Sequence, residues 1–101
     1  MAADRYRSDP ANGVVAERVA NVYSALAGTY AGLASGARSR PSALPHWREA
    51  RTWALKSREV REVQRETGPL SEAATRDLDS LVDLVARCDA ALGATPARAS
   101  Q

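Results

Sequence analysis

Few residues in this chain could do chemistry. His46 is the single histidine and Cys88 the single cysteine, set against twelve carboxylates. His46 and Glu49 stand three residues apart, which puts both on one face of a helix. Di-metal bundles use such a pair in the reverse order, with two histidines and four carboxylates converging in the core. The second histidine is missing, so no metal site is expected. Glu59, Glu62 and Glu66 share a helix face, yet Arg58 and Arg65 interleave with them, the pattern of a solvated surface. Cys88 falls on an apolar stripe with no histidine near it in sequence, where a thiol packs as a small hydrophobe. No strand precedes a Gly-rich phosphate loop. The reading assigns no catalytic residue, cofactor or metal, and expects no enzyme.

Two other constellations point to binding. Arg38, Arg40, Arg48 and Arg51 surround one loop and the start of the helix after it, a pattern able to contact nucleic-acid phosphates. Four glutamates in the same helix oppose that reading. The acidic third helix, with Glu72, Asp77, Asp79, Asp83 and Asp89, offers internal complementation instead. It also excludes a helix-turn-helix across Thr67-Gly68-Pro69-Leu70, because a recognition helix needs cationic donors. The second constellation is Tyr23, Gly28, Tyr30, Gly32, Trp47 and Trp53, the candidate protein interface. Gly28, Gly32 and Gly36 recur at four-residue spacing. A mid-helix glycine costs about 1 kcal/mol relative to alanine, a cost that close backbone contact would offset. Trp47 and Trp53 lie about 240° apart around a helix, so one fills the core and the other sits at an edge, where a tryptophan anchors interfaces.

The elements that position these residues are helices. Asp9-Pro10 reads as cap and first position of a helix running to about Ser35 and stopped by Gly36. A second helix begins between Ser42 and Pro45 and ends at Thr67, with Gly68 as a left-handed terminator ahead of Pro69. Ser71 caps a third, which ends near Gly93. The expected bounds are 10–35, 43–67 and 71–93, with a loose leader over 1–9 and a tail over 94–101. Three matched helices with short loops predict an all-α, antiparallel three-helix bundle.

Each helix has its own stripe pattern. In the third helix, Ala74, Leu78, Leu81, Val85, Cys88 and Leu92 repeat at 4-3-4-3-4 spacing. The first helix carries two stripes, Val15, Val19, Val22, Leu26 and Leu33 beside Ala16, Ala20, Tyr23, Ala27, Tyr30 and Ala34. Together they cover about 200° of the helix, twice what one packed face needs. The surplus predicts that a second copy of the chain completes the bundle.

Composition sets the class. At 101 residues, 45% hydrophobic and 26% charged, the chain makes one globular domain with a net charge of +2. A lone cysteine excludes an internal disulfide and fits a reducing cytoplasm. Met1 to Pro10 has no apolar core of a signal peptide. Val19 to Ala37 is uncharged, but Asn21, Ser24 and Thr29 make it too polar to span a membrane. The Ala/Arg/Val-rich composition looks like that of a high-GC bacterial genome. The expectation is a cytoplasmic, non-enzymatic adaptor or regulatory protein that forms a homodimer and docks on a protein partner. Binding of nucleic acid is the alternative.

Overall fold

The computed structural model describes residues 10–93, with side chains from Gly13 onward. The expected leader, the Asp9 cap and the tail lie outside the described residues. Three helices make up the structure: α1 (Pro10–Ser35), α2 (Arg40–Thr67) and α3 (Glu72–Leu92). The 28 residues of α2 span about 42 Å at 1.5 Å per residue, matching the 45 Å long axis of the molecule. α2 therefore runs along that axis. α2 is central, and α1 and α3 both pack on it. This is a three-helix bundle, as expected.

Local signals explain the boundaries. Ser39 caps α2 in an extended conformation, its hydroxyl accepting from the Ser42 amide at 3.3 Å. α2 thus begins three residues before the expected start, with Pro41 in its first turn. Pro45 consequently lies inside the helix rather than in the first turn, one turn further in than anticipated. Ser71 caps α3 by accepting from the Ala74 amide at 3.1 Å, and Glu72 sits at the positive end of the helix dipole. Gly93 ends α3 in the left-handed region at φ 69°. Gly68 does not: its φ of 162° and ψ of 176° are extended backbone, which corrects the expected left-handed stop. Gly68 still donates to the Arg65 carbonyl at 3.3 Å.

The core is built from small residues. α1 contributes Ala16, Ala20, Ala27, Ala31 and Ala34, all buried, and α2 contributes Ala43, Ala50 and Ala54. Small side chains let α1 and α2 approach closely, toward the short end of the usual 8–10 Å helix separation. Larger core side chains come from α2, with Val60 and Val63, and from α3, where Leu78, Leu81, Val85 and Cys88 are buried on the expected stripe. Trp53, Leu55 and Leu84 pack around Ala27, Ala54, Leu81 and Val85.

Candidate functional site

The two stripes of α1 have different fates. The alanine stripe faces α2, with Ala20 and Ala27 fully buried. The valine-leucine stripe faces outward: Val15 is 49% exposed, Val22 57% and Leu33 49%, with Val19 and Leu26 half-buried between them. Among the described residues, five large hydrophobics are exposed. Four of them (Val14, Val15, Val22 and Leu33) are on α1, and the fifth is Val82. Thr29 continues the outward stripe, so Val15, Val19, Val22, Leu26, Thr29 and Leu33 keep 4-3-4-3-4 spacing over about 27 Å of helix. No charged residue occurs from Val19 to Ser35. α1 therefore shows solvent a long apolar strip and hides most of its alanines.

Flanking α1 on another side is a buried polar cluster. Arg61 of α2 is 1% exposed, and it is the bulkiest fully buried side chain. Its Nε donates to Asp77 Oδ2 of α3 at 2.9 Å. Nη1 donates to Glu17 Oε1 of α1 at 2.8 Å and to Gln64 Oε1 at 3.1 Å, and Nη2 donates to Asn21 Oδ1 at 2.9 Å. Ser24 donates to the same Asp77 oxygen at 2.9 Å. Ser57 lies 2.7 Å from Ser24 Oγ and donates to the Ala20 carbonyl at 2.9 Å. One guanidinium thus clasps all three helices. Burial alone would lower its pKa, but the bonds to Glu17 and Asp77 outweigh that and raise it, so it stays charged. The Arg61 bond in turn holds the Glu17 carboxyl below the usual range, against the raising effect of burial.

The predicted interface residues do not form one patch. Tyr23 and Trp53 meet between α1 and α2, with ring centroids 5.5 Å apart, and Tyr30 stacks on His46 at 6.5 Å. Trp47 lies beside Ala31, Ala50 and Cys88, with the Arg87 guanidinium 5.7 Å above its ring. Both tryptophans are half-buried. Trp53 Nε1 is buried without an acceptor among the described residues. Gly28 and Gly32 line a groove of about 370 Å³ between α1 and α3, with Ser24, Asp77, Ser80 and Arg87. Nothing lies within 4 Å of where their Cβ atoms would be, so the close backbone contact expected of them is not made within this chain.

The basic constellation is divided as well. Arg51 donates to Asp89 at 2.5 Å, which with Arg61–Asp77 joins basic α2 to acidic α3. Arg38, Arg40 and Arg48 are exposed. Burial pushes the Cys88 thiol up in pKa, so it stays protonated and packs as a core residue. Among the described residues, no group of histidine, cysteine and carboxylates is placed to hold a metal ion, and no helix is long and apolar enough to cross a membrane.

The outward stripe and the Arg61 cluster were only partly readable in the sequence. The stripe was visible as surplus apolar surface, but not which stripe would face out. The cluster was missed. Its signal is the 4-3-4-3-4-3 run Ala43, Trp47, Ala50, Ala54, Ser57, Arg61, Gln64, a core stripe with arginine at an inward position. No protein-family model, no curated protein and no solved structure matches the chain.

Proposed function

We propose that this protein is a small, non-enzymatic helical interaction module whose partner is a second copy of itself, joined through the Val/Leu stripe of α1. The observation that carries this reading is the inversion of α1, with alanines inward and valines and leucines outward. Burying an exposed Val or Leu side chain is favourable by about 1.5–3 kcal/mol, so a helix with no partner on that side would gain by turning it inward.

Charge selects the occupant. The stripe residues are uncharged and Arg18 flanks only one end of the strip, so over the charge-free span from Val19 to Ser35 a charged surface would be desolvated without compensation. The outer faces of the other helices are charge-dense, with Arg48, Glu49, Lys56 and Glu59 exposed on α2 and Arg76, Asp79, Asp83 and Arg87 exposed on α3. The surface of this protein that suits the stripe is the same stripe on another copy, an isologous contact. An antiparallel pair centred on Ser24 would set Val15 against Leu33, Val19 against Thr29 and Val22 against Leu26. Heptad spacing is the pattern that lets two helices interdigitate in this way. The buried, protonated Cys88 suits a reducing cytoplasm as the compartment.

The test is the solution mass of the wild-type chain and of Val22→Glu at micromolar concentration. Twice the 10.8 kDa chain mass for the first and a single chain mass for the second is the expected pair of results.

A further inference from the structure

The two stripes of α1 share one spacing and lie one residue apart, about 100° around the helix. Turning the Val/Leu stripe onto α2 would bury Val15, Val22 and Leu33 at the expense of the Tyr23 and Tyr30 contacts with α2. A turn of α1 about its axis would achieve it, with the helices separating slightly to fit the bigger side chains.

Besides the tyrosine packing, what opposes the turn is polar. Glu17 and Asn21 both bind Arg61, and Ser24 binds Asp77 and lies against Ser57. All three α1 residues sit on one side of the helix, so the turn would remove them from the cluster together. Arg61 is 1% exposed and cannot exchange these partners for water. Glu17 and Asp77 differ from it: their side chains are 44% and 23% exposed, so each has a route to solvent.

We infer that the Arg61 clasp sets the rotation of α1 and is the device that keeps its Val/Leu stripe facing outward. Releasing the clasp turns the stripe onto α2 and closes the docking surface. A polar group at one core position of a helical bundle fixes its register in the same way. The regulatory consequence rests on the self-association reading; the rotation itself does not.

The experiment measures which stripe is buried. In a Cys88→Ala background, a single thiol is introduced as Val22→Cys or as Ala27→Cys and labelled with a maleimide. With Arg61 present, and Leu33→Glu in every chain to keep it monomeric, the thiol at 22 is expected to react about tenfold or more faster than the one at 27, because labelling at a buried site must wait for opening. With Arg61→Met added, the order is expected to reverse while helicity by circular dichroism is retained. An unchanged order in a folded Arg61→Met chain overturns the inference. If that chain does not fold, Glu17→Ala with Asn21→Ala takes its place; it frees α1 while leaving Arg61 its bond to Asp77, and the same two outcomes apply. Loss of the fold in both assigns the cluster to stability alone and also overturns the inference. A wild-type chain that sediments as a monomer overturns self-association, and the labelling order still tests the rotation.

Discussion

Arg61 Nε and Asp77 Oδ2 lie 2.9 Å apart across the α2–α3 interface, and the other side of the same guanidinium holds Glu17 on α1. The pair matters because α1 and α3 pack on α2 and are separated from each other by a groove. The Arg61 cluster bridges that separation. A buried charge is costly to isolate, so the bundle is most sensitive where Arg61 finds its partners.

Removing Asp77 should therefore cost more than an average surface change. Asp77→Ala leaves the buried Arg61 with Glu17 as its one ionic partner, which is expected to destabilise the fold by about 3 kcal/mol, the low end for an uncompensated buried charge. Adding Arg61→Met to Asp77→Ala should recover part of that loss, since the orphaned charge goes with the arginine. Urea unfolding midpoints of the two variants at unchanged m-value check this. Equal midpoints would show that the pair does not act as a unit.

Acid should weaken the clasp through Glu17. The Arg61 bond holds the Glu17 carboxyl below its ordinary value of 4.5 in the folded chain, against the smaller raising effect of burial. The unfolded chain then binds more protons in that range, so stability rises with pH there. The Glu17 contribution is complete above the ordinary glutamate range and is lost as pH falls through it to the depressed folded value. Urea midpoints of wild type and Glu17→Gln, measured between about pH 6 and pH 3, should converge as pH falls. A constant separation over that range would exclude Glu17 as a source of the slope.

The groove glycines should tolerate, and gain from, a methyl group. Nothing lies within 4 Å of a Cβ placed at Gly28 or Gly32. Gly28→Ala and Gly32→Ala are each expected to stabilise α1 by about 1 kcal/mol through helix propensity. For a domain of this size that raises Tm by about 4–8 °C, read by thermal melts. A lower Tm in either variant would show that the groove is filled in solution.

Helix number, order and approximate bounds were legible because each stop has local chemistry: Gly36, Gly68-Pro69 and Gly93 after the helices, and Ser71 ahead of α3. The α3 stripe was legible because its core residues are large and its outer face is charged. α1 and α2 misled for one reason. Their inward stripes are dominated by alanine, with serine, arginine and two valines in α2, while hydropathy periodicity weights valine, leucine and tryptophan. In α2, Val60 and Val63 are buried, but so are Ala50, Ala54, Ser57 and Arg61, which carry little hydropathy signal. The α2 start was missed because Ser39 and Ser42 both suit a cap, and only geometry shows Ser39 accepting from Ser42. The long-range bonds of Arg61, to residues 40 and 44 positions away in sequence, leave no local mark.

The outward stripe of α1 is the central claim, and sedimentation equilibrium at micromolar concentration on wild type and Val22→Glu tests it most directly. Val22 is 57% exposed, so the substitution should change the stability of the single chain by less than about 0.5 kcal/mol while placing a charge at the middle of the contact. The account predicts twice the chain mass for wild type, one chain mass for Val22→Glu, and the same helical circular dichroism for both. A wild-type chain of single mass, or a Val22→Glu chain that associates as wild type does, would contradict it.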